Sequence, residues 1–214
     1  MEDHPIMQTE IVDKFIRSLH ETAGSRFNAA KRLEGRDRGL TAVAAVCAVY
    51  IIVLIVLPYF LNLPPEITTY LNIFVIFLSI VILVTSLLQY SSNNVANSEK
   101  LHRSGLEIKE IERELELRKD RIALDDLDMF RVRYSNILEK YGVDHDRRDY
   151  TLYQIENREK YPFITDYAAF VTHAGIRLRK HSATIFLIII TLIILGLALS
   201  LLNAYPVRLP QVGS

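Results

Sequence analysis

The chain has little of what several classes of protein depend on. One cysteine among 214 residues excludes an intrachain disulfide framework and a soluble cysteine-based metal site. Acidic and basic residues are equal in number, 25 of each, so no basic excess is available to bind nucleic acid. No glycine-rich phosphate loop, nucleophile elbow or paired histidine spacing is present. The sequence therefore predicts no catalytic residue, no cofactor, no metal ion and no nucleic-acid partner.

Charge is absent from two long stretches that a short segment separates. Residues 40–61 and 67–90 contain no Asp, Glu, Lys or Arg. A helix of roughly 20 apolar residues crosses a hydrocarbon core of about 30 Å, so each stretch is long enough to span a membrane. Pro64 and Pro65 between them cannot continue a helix interior, but they are well placed to end one helix and begin the next. We predict a transmembrane helical hairpin at residues 39–90.

A third uncharged run lies near the C-terminus, at residues 183–204. It is the most hydrophobic of the three, and we predict a third transmembrane helix there, with residues 205–214 as an external tail. Basic residues favour the cytoplasmic side of a span. They precede the first and third runs and are absent from the hairpin turn: Lys31, Arg32, Arg36, Arg38, Arg177, Arg179 and Lys180. The N-terminus and residues 91–182 are therefore expected in the cytoplasm and the C-terminus outside.

The charged segments show helical periodicity. In residues 1–38, apolar side chains recur every three to four positions from Ile11 to Leu33, which predicts an amphipathic helix. A position on the membrane surface is possible for it, but its mixed charges favour packing against other helices. Residues 91–182 are predicted to form a long cytoplasmic helical stalk. The fold class is thus an all-α membrane protein.

Within the stalk, the sequence marks several helix boundaries. Gly142 is a natural helix terminator, and Pro162 suits the first turn of a last helix. A continuous helix that leaves the membrane and runs to Tyr141 would be longer than the segment that returns to the third span. We therefore expect the outgoing helix to tilt, bend or break, with Gly105 as the weakest point. Apolar residues at seven-residue intervals give a coiled-coil-like repeat, although polar residues at the intervening positions exclude a continuous zipper. The repeat comprises Leu101, Ile108, Leu115, Ile122 and Met129.

The second predicted span carries a polar stripe at seven-residue steps. Asn72, Ser79 and Ser86 fall on one helical face, with Gln89 near its inner end. No ionisable group lies deep within a span, so a proton relay is not expected. Two interpretations remain open: the stripe lines a water-filled pore formed by several copies, or it only hydrogen-bonds neighbouring helices. Three spans make a thin bundle, so both interpretations predict a homo-oligomer in the lipid bilayer.

Three groups of residues, in this order, carry a resemblance to a known family. They are the segment 26–33 before the hairpin, the segment 96–102 with Glu107, Ile108 and Ile111 after it, and the segment 134–138 followed by Asp144, His145, Asp149 and Tyr150. The arrangement resembles the SLATT domain, a two-span membrane effector domain of bacterial conflict systems, over residues 20–180. The third span departs from the two-span pattern.

The resemblance implies a role in antiviral defence. A SLATT protein is expected to oligomerise on activation, form a pore in the inner membrane and kill the infected cell, with a nucleotide second-messenger synthase or a sensor protein as partner. Five residues of the pattern would hold the bend of the stalk and its return helix: Tyr134, Leu138, His145, Asp149 and Tyr150. We expect His145 to donate a hydrogen bond to Asp149. The alternative is a non-conducting membrane scaffold whose stalk recruits a soluble partner.

Overall fold

The computed structural model describes residues 3–61, 63–119, 121–162, 164–180 and 182–204, and these are helical almost throughout. No strand occurs in the described ranges. The helices follow in chain order as α1 (Asp3–Phe60), α2 (Pro65–Ser92), α3 (Asn94–Arg118), α4 (Leu124–Tyr141), α5 (Arg147–Glu156), a 3₁₀ turn (Arg158–Lys160), α6 (Asp166–Lys180) and α7 (Ser182–Ala204). Three helical segments of this part of the chain are long and apolar enough to cross a membrane. The predicted all-α membrane protein is confirmed.

The chain divides into two compact units. The polar unit comprises Met1–Gly35 and Asn94–Arg177, and the membrane unit comprises Arg36–Asn93 and Leu178–Ser214. Helix α1 contributes its first part to the polar unit and its second part to the membrane unit. The predicted external tail, residues 205–214, lies outside the described residues.

The membrane unit contains the hairpin of α1 and α2. Helix α2 begins at Pro65, the position at which a missing N–H costs nothing, as the two prolines predict. A seam of apolar residues joins the two helices, and its buried members from α2 recur at seven-residue steps. The buried apolar residues of the unit are Val43, Cys47, Leu54, Leu61, Leu71, Leu78, Ile190 and Ile194.

Helix α7 packs within the same unit and runs parallel to the membrane part of α1. The Tyr50 hydroxyl lies 2.5 Å from the hydroxyl of Thr191, and a Cβ placed on Gly39 would lie 3.2 Å from the Cβ of Ala183. The two contacts follow the same order along both helices, which fixes the parallel direction. Glycine at position 39 permits this close approach because a side chain there would meet α7. The predicted third transmembrane helix is therefore part of the membrane unit's core.

The polar unit is built around the first part of α1. Val12, Leu19 and Ala23 are buried against α3 and α4, together with Ile108 and Phe130. The amphipathic helix predicted at the N-terminus thus packs its apolar stripe against other helices, which is the arrangement that its mixed charges favour. Helices α3 and α4 form an antiparallel pair.

Helix boundaries in the polar unit agree with some predictions and correct others. Gly142 ends α4 with φ at 57°, and its N–H donates to the Leu138 carbonyl, as its identity predicts. The outgoing helix is broken, as one of the expected alternatives, but between Arg118 and Leu124. The expected position at Gly105 is wrong, because α3 is continuous there and the ring of Phe27 packs where a Cβ would lie. The start of the last helix at Pro162 is also wrong, since α6 begins at Asp166.

Candidate functional site

The polar stripe predicted on α2 lies on the outer surface of the membrane unit. Asn72, Ser79 and Ser86 are all exposed. Leu71, Leu78 and Thr85 each precede one of them and are buried in or beside the helical seam. The Ser79 hydroxyl donates to the Val75 carbonyl at 2.9 Å, so its remaining capacity is that of an acceptor. The stripe is therefore presented away from the helices of its own chain.

Gln89, the fourth residue of the predicted stripe, has a different environment. Its side-chain amide donates to the Thr41 hydroxyl at 2.7 Å and to the Asp37 carbonyl at 3.4 Å. Eighteen residues beyond Leu71, it lies five turns along the helix on the buried side rather than on the exposed one. The structure thus places Gln89 in the hairpin contact between α1 and α2, apart from Asn72, Ser79 and Ser86.

A second group of polar contacts joins α1 to α5 inside the polar unit. The carboxylate of Asp149 is almost completely buried, and Arg32 binds it with two hydrogen bonds of 2.8 and 2.9 Å. The same carboxylate accepts the N–H of Asp146 at 2.9 Å, and the Asp146 carboxylate accepts the N–H of Arg148. This reciprocal capping satisfies N–H groups at the start of α5. Asp149 therefore both begins α5 and attaches it to α1.

The expected hydrogen bond from His145 to Asp149 is corrected by these contacts. The Nδ1 atom of His145 lies 3.0 Å from Asp144, while both Asp149 oxygens are bound by Arg32 and by the Asp146 N–H. A guanidinium matches a carboxylate with two parallel donors, which an imidazole cannot do.

The other residues of the predicted bend also contact α1. Tyr134 and Leu138 pack against the apolar core of the polar unit. The Tyr134 hydroxyl lies 3.2 Å from that of Thr22. Tyr150 donates its hydroxyl hydrogen to Glu21 at 3.2 Å. These residues therefore share α1 as their partner.

Glu21 is the centre of a cluster of tyrosines. Besides Tyr150, Tyr161 donates a short hydrogen bond to its carboxylate. Tyr153 lies among them, with ring centroids 6.5 Å from Tyr150 and 6.2 Å from Tyr161. The ring of Tyr153 also covers Gly24 of α1, where no side chain could fit. Burial and the nearby Glu21 charge both raise the pKa of the Tyr153 phenol, to about 12, and they raise the pKa of Tyr161 as well.

The raised tyrosine pKa predicts a loss of stability at alkaline pH. An unfolded tyrosine has a pKa of about 10, so between pH 10 and about 12 the unfolded chain loses a proton that folded Tyr153 keeps. This contribution to stability is complete below pH 10 and is lost as the pH rises through about 12. We expect the denaturation midpoint of the full chain in micelles to fall over this range, and to fall less steeply in Tyr153→Phe. Equal slopes for the two proteins would contradict the assignment.

Helices α1 and α3 are joined by buried charges. Arg26, only 3% exposed, donates from Nη1 to the Ser104 hydroxyl at 2.6 Å, and its Nε has no hydrogen-bond partner within the described ranges. Burial lowers the pKa of the Arg26 guanidinium, and the charge of Asp144 opposes that effect. Glu112 of α3 lies 2.7 Å from the ring of His20, which precedes Arg26 by six residues on α1, and 2.9 Å from the Lys109 ammonium. The contacts of α1 with α3 are therefore polar as well as apolar.

The sequence indicated the residues of α1 that make these contacts only as part of the family resemblance. Arg26, Asn28 and Arg32 belong to the segment that carries the family resemblance, and each one makes a contact with α3 or α5. No sequence signal identified Ser104 or Asp149 as partners of these residues. No group of three or more His, Cys, Asp or Glu side chains in the described part of the chain could hold a metal ion.

A comparison with protein families finds a match over most of the chain. The model of the SMODS and SLOG-associating 2TM effector domain family 5 matches residues 8–202. No curated protein and no solved structure matches the chain significantly. The matched region extends to both sides of the resemblance over residues 20–180 and takes in most of α7, so the third span lies inside the family's pattern. The chain belongs to this family of membrane effector domains.

Proposed function

We propose that this chain is a membrane effector of bacterial antiviral defence that oligomerises and forms a pore in the inner membrane. The polar unit would lie in the cytoplasm and receive a signal from a nucleotide second-messenger synthase or a sensor protein. The family's description as an effector domain associated with SMODS and SLOG supports the role. The basic residues that precede the first and third spans support the orientation.

The exposed polar stripe of α2 carries the pore proposal. Asn72 and Ser86 are fourteen residues apart, so the stripe covers about 21 Å of a hydrocarbon core about 30 Å thick. Neither side chain has a hydrogen bond to another side chain within the described residues. A polar group in hydrocarbon without a partner costs several kcal/mol. A single chain in lipid would therefore leave the stripe at a high free energy.

Association of several copies removes this cost. With α2 of each copy turned inward, the stripes would surround a water-filled space, and the exposed apolar residues of α1 and α7 would remain in contact with lipid. The apolar exposed neighbours of the stripe on α2, such as Ile76 and Ile80, would then form contacts between copies or with lipid. In such an assembly, the polar side chains of the stripe would contact water and the exposed apolar side chains would contact lipid.

Replacement of the stripe is expected to abolish permeabilisation. Inducible expression in a bacterium, with a membrane-potential dye, should give rapid depolarisation for the unchanged chain. Asn72→Leu with Ser79→Leu should remove the depolarisation without loss of expression, because leucine dewets the space that the amide and hydroxyl keep filled with water. Depolarisation by the double variant at the same level would remove the stripe from the mechanism.

A matched control shows whether the effect depends on the polar side chains of the stripe or on any double substitution in α2. Ile73 and Ile80 are exposed, apolar, seven residues apart and adjacent to the stripe. Ile73→Leu with Ile80→Leu makes the same number of changes on α2 and should leave the depolarisation intact. Absence of ion flux in every case, in cells and in liposomes and with the signalling partner present, would favour the non-conducting scaffold instead.

A further inference from the structure

Helix α6 exposes its apolar side. Tyr167 is 78% exposed, Phe170 72%, Leu178 64% and Val171 49%. The four residues lie at positions i, i+3, i+4 and i+11, so they share one face of about 100°. Thr172 and Ile176, on the other side of the helix, are partly buried. Within the described residues, α6 therefore leaves an aromatic and aliphatic face uncovered.

The position of α6 in the chain indicates what covers this face. Helix α6 ends at Lys180 and the apolar span α7 begins at Ser182, so only one residue separates them. A membrane-spanning α7 fixes the last turn of α6 at the boundary of the bilayer. An apolar face at that boundary has the hydrocarbon and headgroup region within reach.

The charge of the same segment agrees with a lipid surface. By sequence, three of the last four residues of α6 are basic, Arg177, Arg179 and Lys180. Basic residues next to a span are attracted to anionic phospholipids, and a helix with one apolar face and basic residues is typical of interfacial binding. A second copy could also cover the apolar face, but two such segments would bring like charges together. A lipid surface satisfies both the apolar face and the basic residues.

We propose that α6 is an interfacial helix that lies on the bilayer with Tyr167, Phe170, Val171 and Leu178 inserted among the lipids of an anionic membrane surface. Its 15 residues give a contact about 22 Å long. The proposal rests on α7 crossing the membrane and is independent of pore formation. It gives the chain a membrane contact in addition to its three spans.

A spin label at position 170 tests the insertion. The full chain carries Phe170→Cys in a Cys47→Ala background, because Cys47 is the one native thiol, and is placed in vesicles of phosphatidylcholine with or without phosphatidylglycerol. With the anionic lipid, we expect the label to be accessible to oxygen, protected from a water-soluble nickel chelate, and roughly 5–10 Å below the interface. We expect the depth to decrease in purely neutral vesicles.

Val132→Cys in the same background is the matched control. Val132 is an exposed apolar residue of α4, 59% exposed, far in sequence from any span, and its label should be accessible to the nickel chelate in both vesicles. Nickel accessibility at 170 equal to that at 132 would overturn the proposal. Strong dipolar coupling between copies at 170, with no lipid exposure, would assign the face to a second copy and overturn it too. An equal depth of the label in neutral vesicles would overturn the proposed preference for anionic lipid.

Discussion

Replacement of Arg32 by methionine is expected to lower the free energy of unfolding by about 3–5 kcal/mol, because it leaves a buried carboxylate without its counter-charge. The side chain of Asp149 is 3% exposed, and after the change only the Asp146 N–H would still bind it. Methionine keeps the apolar stem of the arginine, so lost packing contributes little. Equilibrium denaturation of the full chain in micelles, followed by tyrosine fluorescence since tryptophan is absent, measures the effect.

Two further variants test whether the loss of stability comes from the buried ion pair or from the removal of any charge in this region. Arg148→Met removes an exposed pair with Asp146, for which we expect less than about 1 kcal/mol. Arg32→Met with Asp149→Asn removes both charges and should recover most of the loss, because the uncompensated carboxylate is gone. If the double variant were as unstable as Arg32→Met alone, the loss would come from helix packing and capping rather than from the buried charge.

Two glycine-to-alanine changes in the same helix are expected to have effects of opposite sign. A Cβ at Gly24 would lie within 3.0 Å of the Tyr153 ring, and that ring cannot move without leaving Tyr150, Tyr161 and His20. We expect Gly24→Ala to lower the free energy of unfolding by about 1–3 kcal/mol through overpacking. The same denaturation measurement applies.

Gly35→Ala is the control for backbone effects. Apart from the helix's own backbone and the two chain neighbours, no atom of the described residues lies within 4 Å of a Cβ at Gly35. Alanine there should therefore only improve helix propensity, by roughly 0.5–1 kcal/mol. With Tyr153→Leu already present, Gly24→Ala should lose most of its cost because the obstructing ring is removed. A persistent cost in that background would show that the ring of Tyr153 is not the obstacle.

The membrane helices could be predicted because a bilayer imposes length and apolarity on each one separately. Residues 40–61, 67–90 and 183–204 each satisfy that condition without reference to the rest of the chain. The end of α4 at Gly142 could also be predicted locally, because a helix often ends in a left-handed backbone that glycine adopts freely. Gly105 failed as a predicted bend because its role is set by Phe27, 78 residues away in the sequence.

The contacts of the polar unit could be predicted only in part. Residues 26–33 drew attention to this part of α1, and Asp149 was named as a residue that contacts the return helix, but their contacts with each other were not predicted. The partner of Asp149 was missed, because the sequence offers both His145 and Arg32 as hydrogen-bond donors and does not give their distances from the carboxylate. Chemistry favours the arginine, whose two donors fit both carboxylate oxygens, once the fold has brought it near.

The hydrogen bond between Tyr50 and Thr191 has a consequence for the order in which the protein is made. The two residues are 141 positions apart, and Ile190 and Ile194 of α7 belong to the same buried cluster as Val43 and Cys47 of α1. At about 5–20 residues per second, the ribosome synthesises the second partner roughly 7–28 s after the first. A nascent chain that has not yet reached Thr191 therefore lacks this contact and the part of the buried membrane cluster that α7 contributes.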